Sequence, residues 1–226
     1  MARLALILGS NATGPGSEPL LEAVAGHGAE VLQRHGGEHP GAYVPPHLID
    51  HAANLRSLIA AGCDRVLGVC SVGSLKEEIA VGSLLCPEDF IALQLGMTTF
   101  GDARGHIPPG LDLEWRERVL AATGDGGGGA FEDGGVYWQT TGPRFETPAE
   151  IRLLAMHADL VGMTMASECI VAGELGLPYA AVCAVDNLAN GIAAAPLDLD
   201  ELEGVRAENA VRLGDALEAV LPELAR

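Results

Sequence analysis

The chain has 226 residues, 48% of them hydrophobic and 4% aromatic, which suits one aliphatic α/β core and is too apolar for a disordered chain. The formal net charge is −18, with 13 Lys plus Arg against 31 Asp plus Glu, which argues against nucleic acid and anionic lipid as partners. Any anion site must therefore be built locally, from a few basic side chains, backbone N–H groups and helix N-termini. No apolar run reaches the ~20 residues of a membrane span.

Leu4 to Leu8 is a continuous apolar run closed by Gly9, the pattern of a buried first strand and too short for the apolar region of a signal peptide. Ser17 to Leu32 reads as a helix running into an edge strand. Leu48 to Ala61 has helical periodicity, with Leu55, Leu58 and Ile59 on one face and Gly62 as its stop. Arg65 to Val69 is a second buried strand, entering a small-residue turn from Cys70 to Ser74. Phe90 to Leu95 is a further strand, Leu113 to Ala122 a helix, and Gly124 to Gly129 a loop without packing side chains. Gly135 to Thr140 is a strand, and Thr147 to Met156 is a helix with Pro148 in its first turn. Leu160 to Met163 is a short strand, and Ser167 to Leu175 is a helix stopped by Gly176. Tyr179 to Val185 is a strand ending in Asp186-Asn187, and Leu199 to Leu224 is a long terminal helix. Strands alternating with helices, with no repeat and no linker, predict a single three-layer α/β/α domain over residues 1–226 with a central mixed, twisted sheet. Cys63, Cys70, Cys86, Cys169 and Cys183 are odd in number and form no CxxC pair, so they read as reduced core thiols of a cytoplasmic protein.

Ligands in such sheets bind at the loops that leave the strand C-termini. Gly9-Ser10-Asn11 follows the first strand, where a small polar turn aims N–H groups and a hydroxyl at an anion. Arg34-His35-Gly36, with His39, gathers cations in a chain poor in them, and arginine favours bidentate contact with phosphate. Cys70 to Ser74 adds a second small, hydroxyl-bearing turn. Each feature alone also reads as an ordinary turn or a solvated patch; their coincidence at strand ends is what points to a site. Ser71 lacks the GxSxG elbow of a hydrolase nucleophile, because the run reads Val69-Cys70-Ser71-Val72-Gly73. The histidines, His47 included, show neither HExxH nor a Cys/His spacing suited to a metal.

The most specific segment lies between Tyr137 and Arg152. TGPRFETPAEIR, followed by GMTMASE from Gly162, resembles the signature of trimeric purine nucleoside phosphorylases and methylthioadenosine phosphorylases. RHGGEHPGAYVPPH, the helix containing Asn54, SVGSLKEEI, GHIP and the terminal helix fall in family order, so the resemblance covers most of the chain from Gly9 to about Arg212. It implies a nucleoside phosphorylase-like fold and the cleavage of a purine nucleoside by inorganic phosphate, giving free purine and sugar 1-phosphate. By position it implies phosphate contacts from Ser10, Arg34, His35, Cys70, Ser71 and Thr164. Phe145 would lie under the purine, Glu146 near its edge and Met163 against the ribose. Asp186 would serve the purine near N7, with Asn187 as the donor if Asp186 accepts instead. The family also donates a histidine across a trimer interface, which falls on His106. No metal and no cofactor beyond phosphate is implied, and the expected assembly is a homotrimer, with pairing of trimers left open.

Four positions depart from the family pattern: the Leu8-Gly9-Ser10-Asn11 turn, a shortened stretch before Arg34, Ser71 in place of alanine, and Asn187-Leu188 in place of Tyr-Asp. The terminal helix has no histidine for a 5′-hydroxyl, and Leu199 and Leu202 are spaced i,i+3. This predicts an apolar 5′ pocket and a 5′-deoxy-5′-methylthio nucleoside as substrate. Phosphorolysis of ordinary inosine or guanosine, and a catalytically weak nucleoside-binding relative, are the alternatives.

Overall fold

Runs with both faces apolar form the centre of the sheet. In the computed structural model, which describes residues 3–10, 17–36, 42–122, 131–194 and 199–226, β1 (Leu4–Leu8) is buried at every position. Its side chains alternate between two cores, Leu4, Leu6 and Leu8 in one and Ala5 and Ile7 in the other. β3 (Arg65–Ser74) and β9 (Tyr179–Leu188) alternate in the same way, Val182 and Ala184 facing one core and Cys183 and Val185 the other. One core is closed by α1 (Glu18–Ala25), α3 (Leu113–Ala121) and the 26-residue α6 (Leu199–Leu224), the other by α2 (His51–Ala60) and α5 (Met165–Glu174). The result is a three-layer α/β/α arrangement.

Among the described residues the sheet is mixed and has nine strands. β2 (Glu30–Gln33) flanks β1, while β4 (Leu84–Cys86) and β6 (Glu132–Asp133) extend the sheet beyond β9. β5 (Asp89–Ile91), β7 (Val136–Gln139) and β8 (Leu160–Gly162) form its other wing. The central strand decides where a ligand fits. β3 pairs with β9 along one side from Val66 to Ser74. On its other side it pairs with β1 from Arg65 to Val69, and then with β8 at Gly73 and Ser74. Between these partners, Cys70 to Val72 have no strand on that side among the described residues, and the sheet splits there.

α4 (Pro148–Leu154) packs Ile151 and Leu154 against a third apolar cluster beside β8. Its start is set by a capping box in which Thr147 accepts from the Glu150 amide and Glu150 accepts from the Thr147 amide, a motif whose capping residue contributes about 1 kcal/mol. No helix among the described residues is long and apolar enough to cross a membrane.

Several expectations change. Cys70 to Ser74 is not a turn but the second half of β3, because pairing with β9 continues past Val69. The strand expected from Phe90 to Leu95 is only Asp89–Ile91, since pairing with β7 ends at Ile91. Ile59 is exposed while Leu55 and Leu58 are buried, so the inner face of α2 is narrower than the run suggested. The short β4 and β6 have no apolar period of their own; they exist through their pairing partners. Asn11, His39 and the Gly124 to Gly129 loop lie outside the described residues. All five cysteines are unpaired and buried.

Candidate active site

A cavity of about 830 Å³ opens at the split in the sheet. Ser10 follows β1, Ser71, Val72 and Gly73 come from β3, and Gly162, Met163 and Thr164 leave β8 for α5. The other side is formed by Phe145 and Glu146 before α4, Asn187 and Asn190 at the end of β9, and one face of α6. Its size lies within the range of small-molecule sites.

Arg34 lines the cavity but is 2% exposed and tightly held. Its Nε donates to Glu168 Oε1 at 2.5 Å and Nη2 to Glu168 Oε2 at 2.9 Å, while Nη1 donates to the Val69 carbonyl at 2.8 Å. Nη2 also approaches the Cys70 sulfur at 3.4 Å. Gly9 makes room for this arrangement, since a Cβ there would collide with Arg34 Nη1. Burial opposes the guanidinium charge, but the Cys70 sulfur and Glu168 more than offset it and hold the pKa well above its ordinary value. Burial likewise opposes ionisation of Glu168, and Arg34 overcomes it, keeping that carboxyl below its usual range. Glu168 also accepts from the Tyr179 hydroxyl at 2.8 Å. The buried ring of His51 stands nearby, its Nδ1 3.9 Å from Glu168 Oε1 and without a hydrogen bond.

His35 stacks on Tyr43, with ring centroids 4.9 Å apart. Its Nδ1 lies 2.9 Å from the Val44 carbonyl, which only accepts, so Nδ1 carries the proton and Nε2 is the acceptor of the neutral ring. Burial foremost lowers its pKa, against the Val44 bond and helped by the charges of Arg34 and Arg206. His35 is therefore a neutral lining group at pH 7 rather than a cation. Thr164 caps α5 without a side-chain cap bond and faces the cavity, while the amides of Thr164 and Met165 go to the Tyr137 hydroxyl. Met163 lies against Gly142, whose φ of +62° and lack of a Cβ let the chain pass beneath the thioether.

Phe145 also lines the cavity and is 40% exposed. Glu146 is buried, takes the Thr140 hydroxyl on Oε1 at 2.5 Å, and is anchored through its backbone carbonyl by Asn190 at 3.0 Å. Asn187 lines the cavity and donates one N–H to the Leu188 carbonyl at 2.7 Å, leaving its second N–H and its oxygen for other partners.

Ser10, Arg34, His35, Ser71, Phe145, Glu146, Met163, Thr164 and Asn187 are thus brought together. Five candidates are not. Asp186 is 1% exposed and lies behind the wall. The register between β3 and β9 shifts from Val72↔Val185 to Gly73↔Asn187, so Asp186 is the extra residue of a β-bulge and Asn187 takes the position opposite Gly73. Asp186 accepts from the Ser71 hydroxyl, from Asn209 Nδ2 at 2.7 Å and from Arg206 Nε at 3.4 Å. Burial raises its pKa against these bonds. Cys70 points into the core toward Arg34, because adjacent strand residues face opposite sides and Ser71 takes the cavity side. His106 follows a short 3₁₀ helix (Ala103–Gly105) and is exposed, away from this chain's own cavity. Leu199 is 59% exposed and Leu202 is 3% exposed, and neither lines the cavity. The face of α6 turned inward carries Asp200, Glu203, Gly204 and Ala207, one helical stripe away from Leu202.

Glu168, Arg206 and Asn209 join the site only in the folded chain. Glu168 stood inside GMTMASE, and a buried Arg34 required a carboxylate. Arg206 and Asn209 share an α6 face, but only the packing of that helix on β9 aims them at Asp186.

The fold is similar to that of adenosine/methylthioadenosine phosphorylase from Schistosoma mansoni, with a TM-score of 0.75 at 21% identity over 97% of this chain and 90% of that one. The chain belongs to the phosphorylase superfamily, whose family model matches residues 14–222. It is 42% identical over 187 residues to a probable 6-oxopurine nucleoside phosphorylase of Archaeoglobus fulgidus, covering 83% of this chain and 76% of that one. It is also 34% identical over 220 residues to a probable S-methyl-5′-thioinosine phosphorylase of Methanothermobacter thermautotrophicus, covering 96% and 76%.

Proposed function

We propose that this chain cleaves purine nucleosides by phosphorolysis and that 6-oxopurines are the preferred bases. What supports this reading is one cavity that gathers Ser10, Arg34, His35 and Thr164, which suit an oxyanion, together with Phe145, Glu146 and Asn187, which suit a purine. A phosphate oxygen attacks C1′ of the sugar as the C1′–N9 bond breaks, and the bonding electrons pass into the purine ring. The protein's share is positioning and electrostatic stabilisation. Thr164 supplies a hydroxyl to the phosphate, and His35 Nε2 accepts the proton of a hydrogen phosphate. At the leaving group, the free N–H of Asn187 meets N7 as negative charge develops there. A neutral amide does this at any ordinary pH, whereas a carboxyl must first be protonated. The Glu146 carboxylate suits the N1–H of a 6-oxopurine and opposes the N1 lone pair of adenine.

At the 5′ end, Glu203 on the inward face of α6 offers an acceptor to a 5′-hydroxyl, which favours an ordinary nucleoside such as inosine. The reading requires no cofactor other than phosphate. It includes cytoplasmic residence, in keeping with five unpaired cysteines, and a homotrimer in which His106 completes a neighbour's site. The test is a panel of inosine, guanosine, adenosine and their 5′-methylthio analogues, with and without phosphate, with product analysis for sugar 1-phosphate. Equal cleavage in phosphate-free buffer overturns it.

A further inference from the structure

Arg206 is the cavity's other cation. Arg34 and Arg206 are the only Lys or Arg side chains among the described lining residues. Their situations are opposite. Arg34 is 2% exposed and is bonded through Nε and both Nη atoms to Glu168, Val69 and Cys70. Its charge is matched by a buried carboxylate within the fold. Arg206 is 33% exposed, and among the described residues its side chain makes one long bond, from Nε to Asp186 Oδ2 at 3.4 Å, against about 2.7–2.9 Å for a good charge-assisted pair. Asp186 does not depend on it, since Oδ2 also takes the Ser71 hydroxyl and Oδ1 takes Asn209 at 2.7 Å.

The position is equally specific. Ser71 Oγ and Arg206 Nε converge on one oxygen, so the guanidinium sits beside the split in β3, and its charge reaches His35. A phosphate in this corner brings one to two negative charges into a chain of net charge −18. Of the groups that meet it, Ser71, Thr164 and His35 are neutral.

We propose that Arg206 is a phosphate ligand, a guanidinium held beside Asp186 that swings its Nη atoms onto the oxyanion and supplies the charge that the Glu168-matched Arg34 does not. This rests on the reading that phosphate is the co-substrate, and it adds a residue to that site.

The test uses full-length wild-type protein, Arg206→Ala, Arg206→Gln and Arg206→Lys. Each is titrated calorimetrically with inorganic phosphate alone and then assayed with inosine at varied phosphate. Loss of one charge-assisted contact raises the phosphate Kd and KM of the Ala and Gln variants about 10- to 100-fold, leaves the inosine KM in place, and is largely restored by lysine. Wild-type phosphate affinity in Arg206→Gln overturns the proposal. So does a parallel rise in both KM values, which marks a structural brace. If wild type binds phosphate without cleaving nucleosides, the phosphorylase reading fails while the titrations still decide Arg206; if it binds no phosphate, both fail.

Discussion

Arg34 and Glu168, 134 positions apart in the chain, form a buried pair joined by two hydrogen bonds directly beneath the split in the central sheet. The pair ties the end of β2 to the first turn of α5. Removing one member strands the other charge where water does not reach. Glu168→Ala is therefore expected to cost about 3–5 kcal/mol in denaturant unfolding. The pH dependence follows from the direction of the Glu168 shift. Its folded-state pKa lies below the ordinary value, so the stabilisation is full above the unfolded carboxylate pKa and is lost as pH falls through the folded one. Glu168→Gln should lack this acid-side decline, and unchanged stability in Glu168→Ala would contradict the buried-pair account.

Asn187 and Asp186 should separate cleanly in kinetics. Asn187→Ala removes a donor that strengthens as the purine becomes anionic, so kcat should fall about 10²-fold or more with a small change in nucleoside KM. Asp186→Asn should retain most turnover. The Asp186 pKa is raised in the folded state, so its contribution to stability is full below the unfolded pKa and is lost as pH rises through the folded one. The melting temperature of Asp186→Asn should accordingly gain on wild type as pH is raised across that window. Full turnover by Asn187→Ala would move the leaving-group contact elsewhere.

Glu146 should govern the base. Glu146→Ala leaves a 6-oxopurine N1–H without its acceptor, a loss of about 1–3 kcal/mol in the transition state. Inosine kcat/KM should drop roughly 10- to 100-fold while adenosine changes little. Equal losses for both nucleosides would mean that the carboxylate serves the fold and not the base.

The 5′ end should follow Glu203. With wild type, inosine is expected to exceed 5′-methylthioinosine in kcat/KM. Glu203→Leu should reverse the order, since a hydroxyl then loses its acceptor at a cost of about 1–3 kcal/mol and the methylthio group gains apolar contact. A wild-type preference for 5′-methylthioinosine would show that Glu203 does not read the sugar.

Assembly is testable through His106. The exposed imidazole and the apolar residues around it, Ile107 among them, are expected to lie at a subunit contact. Sedimentation should give a trimer, and His106→Ala should raise the nucleoside KM. A fully active monomer would detach His106 from the site.

The layer order, the buried strands and much of the cavity lining were legible in the chain because they depend on local pattern. Apolar runs such as Leu4–Leu8 mark strands whose two faces are both covered, Ser10 and Thr164 follow such runs, and Arg34-His35 stand out in a chain poor in cations. What sequence could not carry was phase. A single extra residue in β9 exchanges Asp186 for Asn187 at the cavity wall, and no alternation of side chains announces a bulge. On α6 a rotation of one residue, about a quarter of a turn, separates Leu202 in the core from Glu203 in the cavity, and that angle is set by packing against β9 and α1. Which acid accompanies Arg34, and which arginine stays available to a ligand, was decided only when residues more than a hundred positions apart were brought into contact, because the cost of burying a charge depends on the group beside it.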